Sequence, residues 1–146
     1  MKILMVCLGN ICRSPLAEGI LKSKAKHLKA DSAGTAGYHI GKKPDVRSID
    51  IAKKYNIDLT NQRARQFSYQ DFKNFDHIFV MDQSNKKNVL RLAKTQEDQN
   101  KVHLILEELS TKSTMNVPDP YYDTEQGFKI VYEMLNKACD CIANRI

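Results

Sequence analysis

An α/β fold built on a parallel sheet is predicted by three observations. Short apolar runs alternate with helix-period segments along the chain, the first run breaks straight into a tight loop and then a helix, and no repeat, linker or low-complexity segment interrupts the alternation. A parallel sheet of this kind is covered by helices on both faces and takes its ligand at the C-terminal ends of the strands. The first strand is the run from Lys2 to Val6. It ends in Cys7-Leu8-Gly9-Asn10-Ile11-Cys12-Arg13-Ser14-Pro15. Pro15 suits the first helical position, where its missing N–H costs nothing, and Ser14 is the expected cap.

The first helix carries Leu16, Ala17, Ile20, Leu21 and Ala25 at helical spacing and should end near Leu28. A strand is expected from Leu28 to Ala33, followed by a loop through Gly34, Gly37 and Gly41. A second helix is expected from Asp45 to Tyr55, stopped by Asn56, and Ser68 should cap a short helical turn through Phe72. Asp76 to Met81 reads as the third strand. Asp82 is an N-cap candidate for a helix reaching Ala93, and Val102 to Leu106 is the fourth strand after a hydrophilic connection from Lys94 to Lys101. The last helix is predicted from Glu125 to Arg145, with Phe128, Val131, Leu135, Cys139 and Ile142 on its buried face and Cys141 off that stripe.

The chain of 146 residues is read as one domain, 1–146, long enough to bury a core. Its opening apolar run is too short for a signal peptide or a membrane span, so a cytoplasmic protein with no membrane association is expected. In that setting the four cysteines are read as thiols, and their spacing offers no zinc set. The net charge is +6 and the pI about 9.1. The lysines are spread over several helices with no arginine-rich tract, so nucleic acid is not expected as a partner. A basic field around an anion site instead steers phosphorylated substrates.

The chemistry concentrates in two stretches. A thiol at the end of a buried strand and an arginine at the mouth of a helix bracket a loop whose amides converge into an anion cup. Converging dipoles and a guanidinium favour the Cys7 thiolate, the nucleophilic form. Arg13 offers a planar fork of donors that matches two phosphate oxygens, which a lysine does not. Gly9 is expected to supply freedom at positive φ, with Asn10 the next most tolerant residue, and the Ser14 hydroxyl can donate to the sulfur. In the second stretch, Val117-Pro118-Asp119-Pro120-Tyr121-Tyr122-Asp123, two prolines stiffen the loop that carries Asp119, as a general acid requires.

The run from Val6 to Pro15 resembles the low-molecular-weight protein tyrosine phosphatases, and the likeness extends along most of the chain. The resemblance implies a three-layer α/β/α fold with a four-stranded parallel sheet in the order 2-1-3-4 and the phosphatase loop between the first strand and first helix. It implies that Cys7 attacks phosphorus to form a cysteinyl-phosphate. Arg13 and the amides of Leu8, Gly9, Asn10, Ile11, Cys12 and Arg13 would hold the oxygens, and Asp119 would protonate the leaving oxygen and then activate water. Ser14, Asn10, Ser32 and Asp82 would support the loop, Ser32 by fixing the Asn10 side chain. Arg65 falls where the family has a structural arginine. Ile11, Tyr38, Tyr121 and Tyr122 would form the substrate pocket, and Cys12 would pair reversibly with Cys7 as a redox guard.

The implied partners are phosphotyrosine-containing proteins or small aryl phosphates, with inorganic phosphate as product and no cofactor or metal. A monomer is expected, with a weak dimer as the alternative. Rival activities on the same fold are arsenate reduction, which uses further cysteines absent between Cys12 and Cys139, and arginine dephosphorylation, which usually has a threonine where this chain has Ile11. A non-catalytic phosphate-binding module is the rival from another class.

Overall fold

The computed structural model describes residues 1–109 and 115–146. Four parallel strands, β1 (Lys2–Cys7), β2 (Lys29–Gly34), β3 (His77–Val80) and β4 (Val102–Leu104), form one sheet in the order β2-β1-β3-β4. β1 is therefore central, with Val6 opposite Ala33 on one side and Val80 on the other. Strand alternation sends Ile3, Met5 and Cys7 to one face and Leu4 and Val6 to the other. The first face packs with Leu16 and Ile20 of α1 (Arg13–Lys24) and with Val131, Leu135 and Ile142 of α6 (Glu125–Arg145). The second packs with Phe72 of α3 (Gln70–Asn74) and Val89 of α4 (Gln83–Leu90). With both faces covered, β1 is apolar at almost every position.

Several boundaries differ from the sequence pattern, each for a local reason. α1 begins at Arg13, so Pro15 sits at its third position, and Ser14 makes no cap because its hydroxyl turns to Cys7. α2 (Val46–Lys54) is capped by Asp45, which accepts a hydrogen bond from Arg47 N. Ser68 does not cap α3; its backbone N–H donates to Asp71. The polar connection after α4 contains a short helix, α5 (Gln96–Asn100), held by a reciprocal box between Thr95 and Asp98. β4 is short because the chain tightens into a 3₁₀ turn over Ile105–Glu108. Among the described residues no helix is long and apolar enough to cross a membrane.

Candidate active site

Cys7 stands at the C-terminal end of the central strand β1, and the chain then wraps back around the sulfur before α1 starts. Asn10 N–H points at Cys7 Sγ over 3.3 Å. This curl needs one left-handed residue, and it is Asn10, at φ 58°, rather than Gly9. Gly9 contributes its missing side chain: a Cβ there would lie 3.0 Å from the His39 ring. β2 closes the back of the loop equally tightly, since a Cβ on Gly34 would lie 2.7 Å from Leu8 O. Thr35 and Ala36 continue the contact by donating to the carbonyls of Cys7 and Leu8.

The side chain of Asn10 points away from the cup and organises what lies beneath it. Its Oδ1 accepts from Arg65 N at 3.0 Å, which fixes the amide so that Nδ2 donates both protons, to Ser14 Oγ at 2.8 Å and Ser32 Oγ at 3.0 Å. Ser32 Oγ therefore donates onward, to buried Glu18 at 2.6 Å. Ser14 Oγ, already an acceptor, has its own proton left for Cys7 Sγ at 2.9 Å; its alternative acceptor, Ala33 O, is 3.5 Å away. Arg65 is itself held by Asp71 and Asp31.

Arg13 is 2% exposed. Its Nη1 donates to Asp82 at 2.6 Å and to Val117 O at 2.9 Å, and its Nη2 lies 3.7 Å from Asp119 Oδ2. Burial works against the cation, but the charge of Cys7 and the carboxylates of Asp82 and Asp119 outweigh it and hold the guanidinium above the ordinary arginine value. Asp82 does two jobs, accepting from Asn85 N as the α4 cap and aligning Arg13 from below. Burial, then the charges of Asp45 and Cys7, push the Cys12 thiol upward.

These residues open onto one cavity of about 300 Å³, lined by Cys7, Leu8, Gly9, Ile11, Cys12, Arg13, Tyr38, His39, Asp119, Tyr121 and Tyr122. Every residue expected at the cup or pocket lines it except Asn10, which with Ser14, Ser32 and Asp82 lies behind or below. His39, which looks like an ordinary loop residue in the sequence, stands between the rings of Tyr38 and Tyr121 at 6.4 and 6.2 Å. Glu18 and Arg47 also carry structural weight at the site without any local signature that announces it.

A parallel sheet that hangs an arginine-anchored anion loop on the end of its central strand defines an α/β phosphatase-loop protein. The chain belongs to the low molecular weight phosphotyrosine protein phosphatase family, whose family model matches residues 2–146. A low molecular weight phosphotyrosine protein phosphatase of Schizosaccharomyces pombe is 43% identical over 141 residues, covering 92% of this chain and 89% of that protein. Among solved structures, a protein tyrosine phosphatase from Entamoeba histolytica with Hepes in its active site superposes with a TM-score of 0.93 at 37% identity, covering 99% of this chain and 96% of the other. A Drosophila arginine phosphatase superposes with a TM-score of 0.90 at 33% identity, covering 99% and 96%.

Proposed function

We propose that this chain hydrolyses phosphotyrosine, in proteins or as small aryl phosphates, through a cysteinyl-phosphate. The observation that carries the reading is that Cys7, Arg13 and Asp119 face one cavity whose walls are the apolar Ile11 and the rings of Tyr38 and Tyr121. The Cys7 thiolate attacks phosphorus in line, and the S–P bond forms as the bond to the phenolic oxygen breaks. Arg13 and the amides of Leu8 through Arg13 hold the equatorial oxygens as charge spreads over them. Asp119 gives its proton to the departing oxygen. Its carboxylate then takes one from water, which attacks phosphorus and releases inorganic phosphate and the thiolate.

Aryl selectivity follows from Ile11, whose bulk suits a flat phenol ring and crowds a guanidine, with the rings of Tyr38 and Tyr121 beside it. The likeness to an arginine phosphatase makes phosphoarginine the competitor to test, since the fold is common to both. Hydrolysis of phosphotyrosine, phosphoserine and phosphoarginine versions of one peptide tests the reading, with phosphotyrosine expected to be strongly preferred. Cys7→Ser should abolish turnover and keep phosphate binding. Preference for phosphoarginine overturns the substrate class, and near wild-type turnover by Cys7→Ser overturns the mechanism.

A further inference from the structure

The first turn of α2 holds both halves of the site. Asp45 N donates to Ile11 O at 2.7 Å and Ser48 Oγ donates to Cys12 O at 3.0 Å, tying the helix start to the back of the phosphate loop. From the same turn Arg47 reaches the other way. Its Nη2 donates to Tyr121 O at 2.7 Å and its Nη1 to Asp123 O at 2.9 Å. The guanidinium is braced by Asp45, with Nε on Oδ1 and Nη2 on Oδ2, each at 3.0 Å, and it lies 4.5 Å from the centre of the Phe128 ring.

The loop that Arg47 grips is the one that carries Asp119. Within it Asp119 Oδ1 accepts from Tyr121 N at 3.1 Å, and Asp123 N donates to Pro120 O at 2.8 Å, so the carbonyls on Arg47 and the carboxyl of Asp119 move together. Arg47 does not line the cavity that contains Cys7; it lines a separate cleft with Ile51, Glu125 and Phe128. Its charge is matched by Asp45, so attraction of a phosphate is not its use.

We propose that Arg47 is a positioning residue for the acid step, setting the reach of Asp119 over the phosphate loop through a bridge braced by Asp45. This rests on the assignment of Asp119 as general acid. Two carbonyls and a carboxylate demand several donors in one plane, which a guanidinium has and an ammonium lacks.

The test compares Arg47→Ala, Arg47→Lys and Asp45→Asn, each alone and with Asp119→Asn, using a phosphotyrosine peptide and an activated nitrophenyl phosphate. Arg47→Ala should lower kcat on the peptide by roughly tenfold or more and on the activated ester by no more than about threefold, because only the poor leaving group needs its proton. Phosphate should inhibit wild type and variant within about twofold of each other, and in the Asp119→Asn background Arg47→Ala should cost little more. Arg47→Lys should behave as Arg47→Ala. Asp45→Asn, which keeps the helix cap and loosens the brace, should fall between, and these two variants decide the matter if Arg47→Ala does not fold.

Equal losses on both esters, additive losses with Asp119→Asn, or no loss at all overturn the proposal. If Asp119→Asn is itself indifferent to the leaving group, the acid assignment falls and takes this proposal with it. If only the Arg47 and Asp45 variants are indifferent, the acid assignment stands and the bridge does not.

Discussion

Ser14 Oγ lies 2.9 Å from Cys7 Sγ, and the hydrogen bonds behind it leave its proton no better place to go. Asn10 supplies both of its amide protons to the two serines, and Glu18 takes the proton of Ser32. The polarity of the network is thus set at its far end, where Arg65 N–H fixes the Asn10 amide and the buried Glu18 carboxyl fixes the Ser32 branch. A hydrogen bond to a charged group is worth about 1.5–3 kcal/mol, so Ser14→Ala should slow turnover by roughly ten- to a hundredfold. Alkylation of Cys7 by iodoacetate at fixed pH should slow with it; unchanged alkylation would mean the hydroxyl is not serving the sulfur.

Asp119→Asn should lower kcat by roughly a hundredfold or more on phosphotyrosine, within the range of general acid catalysis, and by much less on esters of acidic phenols. A plot of log kcat against leaving-group pKa checks this: it should be steep for the variant and shallow for the wild type.

Asp82→Ala removes the partner of an arginine that is almost wholly buried, and the cap of α4 as well. Loss of one member of a fully buried pair costs about 3–5 kcal/mol, and less is expected here because Asp82 is partly exposed. Asp82→Asn keeps the capping acceptor and should lose less stability than Asp82→Ala, while both weaken phosphate inhibition because Arg13 loses its alignment. Thermal unfolding and phosphate titration separate the two effects.

Glu18 is buried, and burial holds its carboxyl above the ordinary glutamate value despite the hydrogen bonds from Lys22 and Ser32. The folded chain therefore keeps this proton at pH values where the unfolded chain has released it. The stability tied to Glu18 is fully present below the ordinary glutamate pKa and declines as pH rises through the elevated folded value. Glu18→Gln should flatten the pH dependence of Tm over that window, and an unchanged slope would assign it to other groups.

Peroxide places an oxygen on Cys7 to give a sulfenic acid, and attack by the Cys12 thiol on that sulfur would yield a disulfide and water. Mild peroxide followed by a thiol should restore activity to the wild type and not to Cys12→Ala. Equal recovery would leave Cys12 as a packing residue.

The elements that bury apolar surface were legible in the sequence: β1 announces itself as an unbroken apolar run, α1 and α6 by helical spacing, and α6 spans the predicted residues. The helix α5 was missed because its five residues are polar and its only signal is the pairing of Thr95 with Asp98. Cys7, Arg13 and Asp119 stand out because each is chemically distinctive within a stiff local motif. Arg47 does not, since the loop carbonyls it grips lie more than seventy positions away and a single arginine beside its own helix cap looks like any solvated charge. Ser14 was legible as a sulfur partner and misleading as a cap, because one hydroxyl cannot serve both.

Gly34 leaves no space between β2 and the phosphate loop, so that side of the site behaves as a single rigid casting with the sheet. Adjustment to ligands of different girth then falls to the exposed rings at the rim, where Tyr122 is 96% exposed and Tyr38 74%. An inhibitor series grown from a phosphate mimic should gain potency and selectivity from groups that engage those rings, while bulk directed at the floor finds nothing that yields.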